Sequence, residues 1–256
     1  MTTSQHLSPG LPQLRGTERP RTVVVLQPAY LPWLGFFDQL RRSDAFVYYD
    51  DVQYDKHGWR NRNRVKSAQG TPHWLSVPVR HSGLAWPRID RVEIDRTSAW
   101  ARKHVGTLRQ FYSRAPHARS YLPALEELLY RPWESLVELD IALVQLICGW
   151  LKLHRPMVRS SELKIGGDKS GRLLAICKHL GAERYLSGDA AQDYLDLELF
   201  GSNGVAVEFQ LFTHPRYPQL HGEFVPYLSI VDLILNCGEE SPEVLVSTAT
   251  DSKEKW

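Results

Sequence analysis

Residues 22–50 read TVVVLQPAYLPWLGFFDQLRRSDAFVYYD, and this stretch decides the fold class. Residues 23–27 form an apolar, Val-rich run that predicts the first strand, buried in the sheet. The spacing of apolar side chains over 34–42 predicts a short helix, and the aromatic run at 45–49 predicts a second strand. A strand, a helix and a strand in this order indicate a parallel βαβ unit.

The same alternation returns in the second half of the chain. Short apolar runs predict strands at 157–159, 184–186 and 205–209, with a helix over 190–200 before the last of them. Strand–helix alternation on both sides of a central segment predicts an α/β fold with a mainly parallel, Rossmann-like sheet.

Two segments depart from this alternation. Residues 73–79 and 89–94 alternate polar and apolar side chains with period two, which predicts a small antiparallel excursion. Residues 97–153 carry apolar side chains at helical spacing and predict a helical insertion within the same domain.

The two ends of the chain have a different composition. Residues 1–21 are rich in Pro, Ser, Thr, Gly and Arg, and they predict a flexible tail. Residues 239–256 predict a second, loosely ordered tail. The single α/β domain is therefore expected to span residues 22–238.

Composition limits the classes of function. The chain has 256 residues, of which 43% are hydrophobic, and its formal charge is +2 from 31 basic and 29 acidic residues. That balance excludes a chain built to coat nucleic acid. Three widely spaced cysteines give no disulfide framework, and the N-terminus lacks the apolar segment of a secretory signal. The longest apolar stretch, 141–151, is too short to span a bilayer. We expect a cytoplasmic location.

The turn after the first strand carries no glycine-rich phosphate loop. It has neither GxGxxG nor GxxxxGK[ST], which disfavours a dinucleotide fold and a P-loop NTPase. It holds instead two prolines with Gln27, Tyr30, Trp33 and Gly35. Prolines stiffen the backbone, so this turn predicts a rigid aromatic wall for a substrate with one amide beside it. The alternative is an aromatic core cluster under a rigid turn.

Carboxylates follow the second predicted strand. Asp50 and Asp51 come directly after it, and Gln53 and Tyr54 follow. Paired carboxylates at a strand end favour either a Mg²⁺ or Mn²⁺ site or a contact with substrate. We predict that Asp50 contacts substrate and that Asp51 accepts a proton, with no metal and no named cofactor. The alternative is a solvated turn.

A basic cluster with one tryptophan comes next, comprising Trp59, Asn61, Arg62, Asn63 and Lys66. Guanidinium groups match phosphate or carboxylate geometry, and Trp59 could stack on a ring. These residues predict binding of a phosphorylated or carboxylated small molecule. The alternative is an exposed basic loop.

The opposite wall of the site is expected after the later strands. His214 is a candidate general base because an imidazole titrates near neutral pH, although a single histidine is often structural. Ser187 and Gly188 follow a predicted strand and would bring backbone N–H groups to the ligand. Three further residues of these two walls complete the predicted site, namely Tyr194, Tyr217 and Gln219.

These motifs, in this order, resemble the WbqC-like protein family from about Val23 to Gly238. The residues that carry the resemblance are Gln27-Pro28-x-Tyr30-x-Pro32-Trp33-x-Gly35, Asp50-Asp51-x-Gln53-Tyr54, Trp59-x-Asn61-Arg62-Asn63, Tyr185-Leu186-Ser187-Gly188, Asp193-Tyr194-Leu195, Tyr217-x-Gln219 and Ser229-x-x-Asp232-x-x-x-Asn236-x-Gly238. Cys237 departs from the pattern. The resemblance implies a setting in surface-glycan (O-antigen) or specialised-metabolite biosynthesis and assigns no reaction.

Three functions remain open from the sequence. The first is a transferase that moves an acyl or aminoacyl group from an acyl donor or carrier protein to an amino group of a sugar or pathway intermediate. The second is a nucleotide-dependent nucleotidyl- or glycosyl-transfer enzyme. The third is a non-catalytic partner in a biosynthetic complex.

Overall fold

A computed structural model of the chain describes residues 21–80 and 87–247. Its centre is a five-stranded sheet in which every neighbouring pair of strands is parallel. The strands of the described residues are, in chain order, β1 (Thr22–Leu26), β2 (Ala45–Tyr48), β3 (Arg62–Lys66), β4 (Pro72–Ser76), β5 (Met157–Arg159), β6 (Arg184–Ser187) and β7 (Ala206–Phe209). The predicted α/β class with a mainly parallel sheet is confirmed.

The sheet has the order β5-β2-β1-β6-β7, with β1 at its centre. The chain builds outward from β1 to β5 and then crosses back to β6 on the other side of β1. The strand order therefore reverses between β1 and β6. Ligands of open α/β sheets bind at such a reversal, beyond the carboxyl ends of the strands.

Helices cover both faces of the sheet. They are α1 (Leu34–Arg42), α2 (Trp100–Tyr112), α3 (Ala118–Leu129), α4 (Leu136–Trp150), α5 (Ser160–Leu163), α6 (Lys169–Leu180), α7 (Leu197–Ser202), α8 (Ile230–Cys237) and α9 (Ser241–Ser247). The side chains of β1 alternate between two cores, because successive residues of a strand point to opposite faces. Val24 belongs to the core that also contains residues of α1, α2, α3, α4 and α8, whereas Val23 and Val25 belong to a second core with residues of α6 and α7.

The antiparallel excursion exists, but its predicted partner strand was wrong. β4 pairs with β3, with Arg64 opposite Trp74, and Ile89–Arg91 is a 3-10 turn. A single bridge joins Val79 to Ile94. The sequence of β3 resembles a basic loop because Arg62 and Arg64 point outward. Asn63 and Val65, which alternate with these arginines, are buried.

Two other predicted segments differ from the structure. Residues 239–247 were predicted to be loose, but α9 follows a short 3-10 turn and buries Ser241 and Leu245. The helix predicted at 190–200 begins only at Leu197, because the carboxylate of Asp196 accepts from the N–H of Leu199 at 2.9 Å. Residues 1–20 and 248–256 of the predicted tails lie outside the described residues.

Within the described residues, the helices are all too short or too polar to cross a bilayer. The three helices between residues 100 and 150 occupy the segment where the sequence predicts a helical insertion.

Candidate functional site

The reversal between β1 and β6 brings Gln27 and Ser187 to the same edge of the sheet, because Val24 lies in register with Leu186. Two amides beneath this edge are hydrogen-bonded to each other. Gln39 donates to Gln210 at 2.9 Å, and Gln210 donates to the carbonyl of Gly35 at 2.8 Å. Gln27 is half-buried, and Ser187 is buried.

Gly188 follows Ser187 and closes over the amide pair. A Cβ at Gly188 would lie 3.4 Å from Nε2 of Gln39, which is an ordinary van der Waals contact. Tyr194, from the same predicted wall, is 67% exposed, so its side chain adds no buried surface here.

The first loop of the site, residues 27–33 between β1 and α1, has a strained backbone that β3 of the antiparallel pair holds in place. Leu31 has a positive φ of 43°, which non-glycine residues seldom adopt. Asn63, buried on β3, donates to the carbonyls of Leu31 at 2.7 Å and Tyr30 at 3.3 Å. The backbone N–H of Ile230 donates to Pro32. Asn63, predicted to contact substrate, thus fixes the loop that presents Trp33.

The indole of Trp33 lies directly against Gly35. A Cβ at position 35 would come within 2.3 Å of this ring, so only glycine fits. From there the indole contacts Phe212 edge-on, with ring centroids 5.0 Å apart, and Tyr227 at 5.7 Å. The first predicted wall therefore meets residues from beyond β7.

These rings belong to what we call the aromatic cluster, which comprises Trp33, Phe212, His214, Tyr217, Phe224 and Tyr227. The imidazole of His214 lies among the other rings of its own segment, at centroid distances between 5.3 and 6.2 Å. The aromatic cluster combines the wall predicted from Trp33 with the wall predicted from His214.

The imidazole of His214 has one nitrogen engaged and one buried and unpaired. Nδ1 lies 2.8 Å from the carbonyl of Pro215, which can only accept, so Nδ1 carries the proton. Nε2 has no hydrogen-bond partner among the described residues. Burial lowers the pKa of His214, and the hydrogen bond to Pro215 opposes this shift in part. A neutral ring with a free lone pair on Nε2 follows at neutral pH.

Asp189 positions this segment, and sequence reasoning missed it. Its carboxylate accepts from the N–H groups of Leu211 at 2.7 Å and Phe212 at 3.4 Å. Asp189 directly follows the Ser187-Gly188 motif, and this position just after β6 could have indicated from the sequence that it belongs to the site.

Tyr217 and Gln219 are tied to a buried carboxylate rather than pointing freely into the site. Asp232 on α8 accepts from the hydroxyl of Tyr112 at 2.7 Å, the hydroxyl of Tyr217 at 3.0 Å and Nε2 of Gln219 at 2.8 Å. Burial raises the pKa of Asp232, against these hydrogen bonds. The Asp232 network thus holds the ring of Tyr217 against His214.

Lys66 is buried as part of the same network. Its ammonium donates to Gln219 at 3.2 Å and to the carbonyls of Gly222 and Glu223. Burial lowers its pKa, opposed by the charge of Asp232. The ammonium of Lys66, which was predicted to bind a phosphate or carboxylate, is therefore hydrogen-bonded within the protein.

Asp50 is bound into the fold on the other side of β1. It is fully buried and accepts from Nε of Arg159 at 2.6 Å, from the N–H of Ser161 at 3.0 Å and from its hydroxyl at 2.8 Å. These bonds tie the end of β2 to β5 and α5.

Asp51 is similarly paired, with Ser160 and Arg172. Burial alone would raise its pKa, but the hydrogen bonds from Ser160 and Arg172 outweigh it, and the pKa of Asp51 is lowered. An ionised, paired carboxylate is a weak proton acceptor. Its predicted catalytic role stays a prediction. The described residues hold no group of three or more His, Cys, Asp or Glu that could bind a metal.

A buried polar cluster lies between the first loop and α4. Its side chains are Tyr54, Arg60 and Asp140, which interact electrostatically and have buried polar atoms without a hydrogen-bond partner among the described residues. The amide nitrogen of Asn61 donates to the carbonyl of Val77 at 2.8 Å, and its Oδ1 is buried without such a partner. Both oxygens of Asp140 are unpaired, and burial raises the pKa of this carboxyl well above its usual value, opposed by Arg60. Sequence reasoning missed Asp140, which is one acidic residue in an apolar helix. Gln53 is exposed at the edge, bridged to Arg88.

Two further predicted residues, Trp59 and Arg62, lie with Trp74 and Arg64 in an exposed surface that we call the tryptophan platform. The two indoles stack with centroids 5.3 Å apart, and each is more than 40% exposed. Arg62 lies 4.7 Å above the ring of Trp74, and Arg64 lies 5.4 Å above that of Trp59. Trp74 was missed because its strand was assigned a different partner.

Comparison with known proteins agrees with the resemblance seen in the motifs. The model of the WbqC-like protein family matches residues 27–244, which includes every motif from Gln27 to Gly238. Uncharacterized protein Rv1507c of Mycobacterium tuberculosis is 35% identical over 227 residues, covering 88% of this chain and 97% of that protein. No solved structure matches the chain.

Proposed function

The chain belongs to the WbqC-like protein family, and we propose that it is a group-transfer enzyme in which His214 accepts a proton from an amine nucleophile. The observation that carries this proposal is the unpaired Nε2 of His214 inside the aromatic cluster. A buried acceptor without a partner is costly to a fold, so such a group in a site favours a function.

The proposed reaction is acyl or aminoacyl transfer to an amino group. The amine nitrogen attacks the acyl carbon and forms the new N–C bond, and the bond from that carbon to the donor's leaving group breaks. The nitrogen loses a proton, which Nε2 of His214 accepts and then gives to the leaving group. The hydrogen bond from Nδ1 to Pro215 keeps Nε2 as the accepting atom.

The substrate class follows from the walls of the site. Aromatic faces suit a sugar ring or another flat, partly apolar group, and the amides at the sheet edge can bond hydroxyl or amide groups. The resemblance implies surface-glycan or specialised-metabolite chemistry. An amino sugar or an amine-bearing pathway intermediate fits both the walls and this setting.

The decisive experiment compares two variants in a mass-spectrometric screen for acyl transfer. The screen pairs nucleotide-linked amino sugars with coenzyme A thioesters and aminoacyl donors. His214→Asn should lower turnover about 10²- to 10⁴-fold, the range of a lost general base, when assayed at a temperature at which the variant is folded. Asp51→Asn is the matched comparison, since it should mainly lower the melting temperature by weakening the pairs with Ser160 and Arg172.

The pH profile gives a second readout. Because the pKa of His214 is lowered, the acid limb of kcat/KM should lie below the ordinary imidazole range. Full turnover in His214→Asn would contradict the base assignment. Nucleotidyl or glycosyl transfer is less well supported, because Asp50 and Asp51 are engaged by Arg159 and Arg172 rather than open to a metal.

A further inference from the structure

A groove of about 670 Å³ lies between β4 and α2, outside the aromatic cluster. We call it the α2 groove. His73, Trp74 and Ser76 line one side, and Trp100, Arg102 and Lys103 line the other. None of the sequence motifs pointed to α2, so the groove was not part of the predicted site.

The α2 groove is lined by positive charges. Arg102 and Lys103 are exposed on the first turn of α2 and reach its rim. No Asp or Glu is among the described residues that line it. Two cations without a lining carboxylate attract an anion, and phosphate is an anion that Arg and Lys side chains bind well.

The tryptophan platform supplies an aromatic ring to the same groove. Trp74 lines the groove and is 44% exposed, and its stack on Trp59 at an interplanar angle of 29° holds the ring in place. Exposed, fixed indoles next to cations are the elements with which proteins bind single bases without a sequence preference.

The platform also connects the α2 groove to the aromatic cluster. Arg64 lies 5.6 Å above the ring of Trp74 and donates to the carbonyl of Tyr227 at 3.2 Å. The ring of Tyr227 lies 5.3 Å from that of His214. A ligand in the groove could therefore extend across the platform toward the imidazole.

We infer that the α2 groove binds a nucleoside phosphate, with the base against Trp74 and the phosphates at Arg102 and Lys103. The inference goes beyond the proposed function, because it concerns a ligand site outside the aromatic cluster and holds whether or not His214 is a base. Free nucleotides, nucleotide sugars and the nucleotide part of coenzyme A share this chemistry.

Calorimetric titration of the full chain with ADP, UDP-glucose, coenzyme A and inorganic pyrophosphate tests the inference. Wild type should bind at least one nucleoside phosphate more tightly than pyrophosphate, and the one that binds best identifies the source. Trp74→Ala and the double variant Arg102→Ser/Lys103→Ser should each weaken this binding by about tenfold or more. In the double variant the affinity for the nucleoside phosphate should also depend less on salt concentration than in wild type.

Two matched controls separate the site from general effects. Tyr130→Ala removes an exposed aromatic ring directly after α3, and Arg119→Ser/Lys178→Ser removes two exposed cations elsewhere. Both should bind like wild type. Three results would overturn the inference: no binding of any nucleoside phosphate by wild type, binding that Trp74→Ala and the double variant leave unchanged, or pyrophosphate binding as tight as that of the nucleotides.

His214→Asn should keep this affinity. Loss of turnover with intact nucleotide binding would support both proposals, whereas intact turnover without nucleotide binding would support the proposed function alone. The two proposals can therefore fail separately.

Discussion

The hydroxyl of Tyr30 and Nδ1 of His104 lie 2.8 Å apart inside the protein, and this contact joins the first loop of the site to α2. Burial lowers the pKa of His104 to about 4, opposed in part by a hydrogen bond to the backbone of Ser76. His104 is therefore neutral in the folded chain, where it accepts from Tyr30, whereas it takes up a proton in the unfolded chain below about pH 6.5.

The first prediction concerns this histidine and acid stability. Between pH 6.5 and about 4 the unfolded state binds a proton that the folded state does not, so the free energy of unfolding falls as pH falls. The full effect is about 3 kcal/mol. His104→Gln should flatten this slope in urea titrations across the window. His179→Gln, an exposed histidine of α6, should keep the wild-type slope, and an unchanged slope in His104→Gln would contradict the assignment.

The second prediction concerns Gly35 under the indole of Trp33. Gly35→Ala should lower the free energy of unfolding by about 1–3 kcal/mol, because the new Cβ forces the ring off its position. Gly149→Ala is the matched control, since its Cβ would meet nothing within 4 Å on α4, and it should raise stability by up to about 1 kcal/mol.

A double variant checks the cause of the Gly35 effect. In Trp33→Ala/Gly35→Ala the clash is absent, so the two changes should cost less together than their sum. Strict additivity would show that the indole is not what excludes a side chain at position 35.

The third prediction concerns the unpaired carboxyl of Asp140. Its folded-state pKa is raised by burial, so above about pH 4 the unfolded state loses a proton that the folded state keeps. The free energy of unfolding therefore decreases as pH rises toward the folded-state pKa. Asp140→Asn should remove this decrease between pH 4 and 7, measured as the difference from wild type. Glu127→Gln on the exposed side of α3 is the control.

The fourth prediction concerns the Asp232 network. Asp232→Ala leaves the buried hydroxyls of Tyr112 and Tyr217 without their acceptor and removes one of the two acceptors of the Gln219 amide, so it should cost about 3 kcal/mol or more of unfolding free energy. Tyr217→Phe removes one bond and should cost about 1 kcal/mol. Denaturant titration measures both, and equal costs would show that the network does not act through Asp232.

The centre of the sheet could be predicted from the sequence because its two central strands, β1 and β2, are short, apolar and buried. The run from Val23 to Leu26 and the aromatic run at 45–48 contain no charged residue. The pairing of β3 could not be predicted, because outward Arg62 and Arg64 hide the alternation of buried Asn63 and Val65. The two arginines are held on the strand by tertiary contacts with Trp59 and Trp74 and by hydrogen bonds to backbone carbonyls.

Some neighbour relationships among the predicted residues follow from strand-end positions, but the roles of these residues stay predictions. Trp33 and His214 both contact Phe212 and Tyr227 in the aromatic cluster. The sequence does not show that Asn63, Lys66 and Gln219 donate hydrogen bonds to backbone carbonyls of the protein, because that depends on which carbonyls lie nearby in the folded chain. Asp140 was unpredictable for the same reason, since a polar residue in an apolar helix has no partner until the helices pack.

The aromatic cluster draws on two distant parts of the chain, Trp33 near one end and the segment from Phe212 to Tyr227 near the other. The two parts are synthesised at different times. When the nascent chain has emerged from the ribosome as far as β7, it contains all five strands of the parallel sheet but not yet Phe212, His214 or Tyr227. The sheet can therefore assemble during synthesis while the wall with His214 is still inside the exit tunnel. Activity during translation would thus report completion of the last elements rather than formation of the sheet.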